Sequence, residues 1–181
     1  MGHIVGGGEL RIDPYKLESI VNWPTPKTVI EVRIFLSTTQ YWRKFIANFS
    51  AITTPMHAVI SVNKGFQWGG KQKKAFESLK DKISSAPVLA LPNLREPFEI
   101  QIDASDYAMG TILLQHGKPI AFHSETFNGA VTNYPTYEKE LYALVQSVKK
   151  WKNYLMGKEM IIHTDHQPLQ YFQSQTKLQQ S

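Results

Sequence analysis

Phe98-Glu99-Ile100-Gln101-Ile102-Asp103-Ala104-Ser105 alternates apolar and polar residues and ends on a carboxylate followed by two small side chains. A period of two predicts a half-buried β-strand. Two later carboxylates stand in comparable settings. Glu140 lies in Glu138-Lys139-Glu140-Leu141, early in an amphipathic helix, and Asp165 lies in Ile161-Ile162-His163-Thr164-Asp165-His166, at the end of another strand. Acids gathered from separate elements oppose one another's ionisation unless a cation joins them, and hard divalent cations take carboxylate oxygens.

Outward from this strand, residues 108–115 and 119–124 read as two more strands, with Gly110 inside the first and His116-Gly117 as the turn between them. Short turns between three strands predict an antiparallel meander. Pro135 opens a helix of about twenty residues, judged by its apolar period. Residues 158–164 predict a fourth strand, and Pro168 to Phe172 the start of a further helix. The expected class is α/β (α+β), with the order β-β-β-α-β-α over residues 98–181, followed by a polar tail from Gln173.

Before residue 98 the pattern is helical. Residues 1–12 are Gly-rich and predict an arm or a strand remnant. Asp13-Pro14 starts a helix, since Asp accepts from the free amides and Pro at the first position loses no hydrogen bond. Trp23-Pro24-Thr25-Pro26 ends it, and Thr28 with Glu31 forms a capping box for the next. Further helices are expected from Ser50 to Ile60 and, after Phe66-Gln67-Trp68, along a stripe of Ala75, Phe76, Leu79 and Ile83. The helical region spans 13–86, and Pro87, Pro92 and Pro97 mark a linker over 87–97, where a domain boundary is expected.

Tyr41-Trp42-Arg43-Lys44-Phe45-Ile46 interleaves rings and cations. Tyr41, Phe45 and Phe49, spaced by four, predict a core stripe. Trp42, Arg43 and Lys44, with Arg33 on the preceding helix, are candidates for nucleic-acid contact. The charge distribution agrees: residues 1–97 hold 13 Lys/Arg against 7 Asp/Glu, and residues 98–181 hold 7 against 8. The five lysines of the helix around Phe76 read as a solvated face. The chain has no cysteine, which excludes disulfides, thiolate metal sites and cysteine nucleophiles. Neither a signal peptide nor a membrane span is readable, so an intracellular location is expected. A nucleotide loop and a Ser-His-Asp grouping are likewise absent, and His163 with His166 is weak evidence for zinc.

Glu138 and Glu140 compete for one role. At about 100° per residue, the expected stripe of Tyr137, Leu141, Leu144, Val148, Trp151 and Leu155 has Glu140 on one edge and Glu138 on the other. Periodicity leaves the choice open.

Many landmarks together resemble gypsy-type LTR retrotransposon polyproteins, in the reverse transcriptase thumb-to-connection region and the ribonuclease H-like domain. They include Gly2-His3-Ile4-Val5, Trp23-Pro24-Thr25-Pro26, Tyr41 to Ile46, Phe66-Gln67-Trp68, Ala75 to Lys80, Asp103-Ala104-Ser105, Pro119-Ile120-Ala121-Phe122, Glu138 to Leu141 and Thr164-Asp165-His166. The resemblance implies a mixed sheet with helices and Mg²⁺- or Mn²⁺-dependent hydrolysis of the RNA strand of an RNA–DNA hybrid. It assigns Asp103, Glu140 and Asp165 as catalytic metal ligands and selects Glu140 over Glu138. It also implies a fifth strand, further helices and a fourth carboxylate. Asp165 is the last acid here, so a fragment, a truncated product or a domesticated remnant is expected. Ser37 and Glu125 replace a usual Gly and a usual basic residue. The alternatives are a non-catalytic nucleic-acid-binding module, and a protein-interaction role in which an unpaired sheet edge docks a partner.

Overall fold

A computed structural model describes residues 3–61 and 65–164. The Gly-rich start is a hairpin: β1 (His3–Gly6) and β2 (Glu9–Ile12) pair antiparallel around Gly7 and Gly8, whose φ of 61° and 79° suit a residue without a Cβ. Asp13 caps α1 (Pro14–Val21), its carboxylate accepting from the Tyr15 amide at 3.0 Å. Thr28 caps α2 (Val29–Thr39), accepting from the Glu31 amide, while Glu31 reaches back to the Lys27 amide at 2.7 Å. A 3-10 segment (Gln40–Phe45) leads to α3 (Phe49–Ser61) and then α4 (Gly70–Ser84). These helices enclose one core, built on Ile20, Val32, Phe35, Phe45, Phe49, Met56, Phe76, Leu79 and Ile83.

The expected core stripe is corrected at one ring. Tyr41 is exposed at 37% and meets His3 edge-on, whereas Trp42 is 4% exposed and sits in the core. The reason is the 3-10 winding, which brings residues three apart into line, so Trp42 rather than Tyr41 shares a face with Phe45. Trp42 is thereby withdrawn from the nucleic-acid candidates.

The proline-marked stretch is more than a linker. It carries β3 (Leu89–Ala90), which pairs with β2 to give the sheet order β1-β2-β3. Leu89 is fully buried in the helical core, and Ala90 packs against the second core. Strands this short carry no period, so only the partner across the chain defines them.

The second sheet follows the expected meander. β4 (Phe98–Ala104), β5 (Ala108–Gln115) and β6 (Lys118–Thr126) run antiparallel, and β7 (Met160–His163) adds parallel to β4, giving the order β6-β5-β4-β7. Gln115 closes the entry to β4 by pairing both ways with the Asn93 backbone at 2.9 Å. The expected long helix is two pieces, α5 (Thr136–Lys150) and α6 (Lys152–Leu155), separated at Trp151. Phe98, Ile100 and Ile102 meet Met109, Leu113, Ala143 and Trp151 in the second core. The helix expected from Pro168 lies outside the described residues.

Candidate functional site

Alternation along β4 buries Phe98, Ile100 and Ile102 toward α5 and leaves Gln101 and Asp103 exposed on the other face. The two small residues after Asp103 make a tight turn possible. Ser105 donates its amide and its hydroxyl to the Ala108 carbonyl, both at 2.9 Å, and accepts from the Ala108 amide. Asp103 thus ends a strand whose exit is held on both sides. Among the described residues its carboxylate has no hydrogen bond or ion pair in the structure.

The line of α5 that faces the sheet is Glu140, Ala143 and Ser147, with Trp151 after it. Tyr137 and Leu141, expected in the core, are exposed at 46% and 41%. The helix is rotated because Ala143 and Ser147 are small enough to let it approach the strands, and Ser147 hydrogen-bonds Thr111 of β5 at 2.8 Å. That rotation separates the two acids. Glu140 is buried at 7% exposure and accepts from the Thr164 hydroxyl, whereas Glu138 stays at the helix start and accepts from the Tyr137 hydroxyl. Lys139 beside it is also buried, donating to the Asp106 carbonyl at 2.9 Å and lying over the Phe127 ring. Lys139 therefore ties α5 to the turn after Asp103, and Glu140 ties it to the end of β7. Sequence reasoning passed over Lys139 and Thr164, although each stands next to an acid that it singled out.

Asp165 lies outside the described residues. Among the described residues, no three His, Asp or Glu side chains are grouped so as to hold a metal ion. His163 is engaged elsewhere: its Nε2 lies 2.9 Å from Glu99, and this hydrogen bond chiefly holds the Glu99 carboxyl below its ordinary range, against the opposing effect of desolvation.

The nucleic-acid candidates divide. Arg33 is exposed on α2. Lys44 is half-buried over the Phe45 ring, and its burial lowers its pKa. Arg43 is largely structural: its guanidinium donates to the Ser124 carbonyl and, at 2.7 Å, to the Ser50 hydroxyl. Burial lowers its pKa, with Glu125 opposing. Ser50 adds its amide to Ser124 Oγ at 2.9 Å and its hydroxyl to the Ser124 carbonyl. A polar cluster thus docks the helical half on β6.

Next to that cluster, His123 is 6% exposed, set against Trp151 and 3.3 Å from Glu125. Burial holds its pKa below the ordinary 6.5; Glu125 opposes this, while Lys150 and Arg43 add to it. His57 is lowered in the same direction by burial and Arg43. The folded chain binds these protons less readily than the unfolded chain. Stability is therefore full above the unfolded pKa near 6.5 and is lost as pH falls from there toward the lowered folded values. Thermal midpoints between about pH 8 and pH 5 are expected to fall on the acid side, and His123→Gln is expected to flatten that slope. An unchanged slope in the variant would remove His123 from this account.

A family model described as the RNase H-like domain found in reverse transcriptase matches residues 68–162. The chain is 39% identical over 172 residues to the retrovirus-related Pol polyprotein from transposon 297 of Drosophila melanogaster, covering 94% of this chain and 16% of that polyprotein. With the Pol polyprotein from transposon gypsy of the same organism it shares 35% identity over 184 residues, covering 94% and 18%. The chain thus spans less than a fifth of these relatives. Among solved structures, the foamy viral protease–reverse transcriptase dRH in complex with double-stranded DNA superposes with a TM-score of 0.81 at 20% identity, covering 95% of this chain and 32% of that one. The foamy viral protease–reverse transcriptase in complex with an RNA/DNA hybrid gives 0.77, also at 20% identity, covering 88% and 23%. With residues 68–162 matched and gypsy-type Pol relatives aligned over most of its length, the chain belongs to the RNase H-like domain family of retrotransposon reverse transcriptases.

Proposed function

We propose that the chain supplies the ribonuclease H-type part of a retrotransposon reverse transcriptase, acting inside the cell to hydrolyse the RNA strand of RNA–DNA hybrids with Mg²⁺ or Mn²⁺. In this reading residues 13–86 are the thumb- and connection-like part, 87–97 the join, and 98–181 the nuclease domain. Asp103, Glu140 and Asp165 are its metal ligands. The observation that carries the reading is the placement of Glu140, the buried acid of α5, against Thr164, the residue just before Asp165. The strand register supports it: Gln101 pairs with His163, and Asp103 and Asp165 each follow that pair by two positions.

The donors fit a hard divalent cation, since all are carboxylate oxygens and Asp103 presents its own without a protein partner among the described residues. When bound, such an ion supplies an activated water and neutralises charge at the phosphodiester. The chain's residues do the placing. Thr164 orients Glu140, Ser105 and Lys139 hold the turn beyond Asp103, and exposed Arg33 offers a phosphate contact. A hybrid would be read through its A-form shape, phosphates and 2′-hydroxyls rather than its sequence.

A second reading, a non-catalytic nucleic-acid-binding module, is supported by the basic balance of residues 1–97, which hold 13 Lys/Arg against 7 Asp/Glu. Incubation of the purified chain with a labelled RNA–DNA hybrid separates the two. The nuclease reading expects RNA-strand cleavage in Mn²⁺ that stops with chelator and spares duplex DNA. Salt-sensitive hybrid binding without cleavage would instead establish the binding module.

A further inference from the structure

Gly110 lies in the middle of β5, where a glycine weakens the strand and marks the close approach of another group. That group is the side chain of Asn48, from the junction between the 3-10 segment and α3. A Cβ at position 110 would collide with Asn48 Oδ1 and come within 3.3 Å of its Cγ. Asn48 itself has φ 56°, a left-handed conformation that Asn tolerates better than most residues. Gly110 is the cross-strand partner of Asp103, so the two share one face of the sheet. On that face Asn48, Gln101 and Asp103 line a pocket of about 120 Å³, room for a few waters. Two residues away, Ser50 is bonded to Ser124 of β6. The segment carrying Asn48 is therefore held on two adjacent strands.

We infer that Asn48 is a positioning residue for Asp103. Its amide, seated on Gly110, sets the polar surroundings of the Asp103 carboxylate through water in the shared pocket, and ties the helical half to the strand end. The absence of a side chain at Gly110 is what makes room for it. The value of this for metal binding rests on the nuclease reading above, whereas the placement of Asn48 beside Asp103 does not.

Two variants of the full chain reach the same amide by different routes. Asn48→Gly keeps the left-handed backbone available and removes the amide. Gly110→Ala keeps the amide and displaces it, a small movement at the end of a short side chain. Both are expected to shift the ¹³C carboxyl resonance of Asp103 in metal-free protein while leaving that of Glu9, a remote exposed acid, in place. Both are expected to weaken Mn²⁺ binding, measured by calorimetry, by about tenfold, the scale seen when outer partners of a ligand are removed. The double variant is expected to be no worse than either single one, because both remove one interaction. An unmoved Asp103 resonance in either single variant, or additive losses in the double variant, overturns the inference. Shifted resonances in a chain that binds no Mn²⁺ would uphold Asn48 as the positioning residue and overturn the nuclease reading instead.

Discussion

Asp103→Asn is expected to lower Mn²⁺-dependent hybrid cleavage by at least about a hundredfold, close to 2.7 kcal/mol of transition-state stabilisation, while moving the thermal midpoint by no more than about 2 °C. The two expectations have one source. Asp103 is exposed at the end of β4, and no described residue pairs with its carboxylate, so its charge contributes little to the fold. Asn keeps the shape and one oxygen but loses the charge that a divalent cation requires. Initial rates on a labelled hybrid, with calorimetry of unfolding alongside, make the test. Equal cleavage by the variant would remove Asp103 from the site. A large loss of stability would show that the carboxylate is structural.

Phe98→Ala, five positions earlier on the same strand, is expected to do the reverse. Phe98 is fully buried where β4 meets β7 and packs beside Tyr154. Removing a buried ring costs about 3–5 kcal/mol in lost transfer energy and cavity, which lowers the midpoint of a chain this size by roughly 10 °C or more. Denaturant unfolding followed by circular dichroism measures it. The helical core does not include Phe98, so the loss is expected to fall on the sheet first, giving a broadened or two-step transition. A change below about 1 kcal/mol would show that the second core closes around the gap.

Much of this molecule was legible in the order of its residues. Capping by Asp13 and Thr28, the meander from residue 98 onward and the end placement of Asp103 all follow from local chemistry, in which neighbours in sequence are neighbours in space. What was missed shares a different character. Leu89 and Ala90 read as linker because two residues show no period, and they become a strand only through β2. Trp42 read as surface because the α-helical period was applied to a 3-10 turn. Tyr137 and Leu141 read as core because the stripe was judged by hydrophobicity. The tilt of α5 is decided instead by how closely Ala143 and Ser147 let it approach β5.

The sequence by itself determined which side chains could do chemistry: an alternating strand ending in Asp103, a helix bearing Glu138 and Glu140, and a cationic helical half. Only the tertiary structure decided where they sit and what they touch. It buried Glu140 against Thr164 while leaving Glu138 at the helix start, and it engaged Arg43 between Ser50 of α3 and Ser124 of β6. It also explained Gly110 by placing Asn48 upon it. The physical reason is that each of these outcomes depends on a contact between residues distant in the chain, whose side chains meet only after the helices and the sheet have packed.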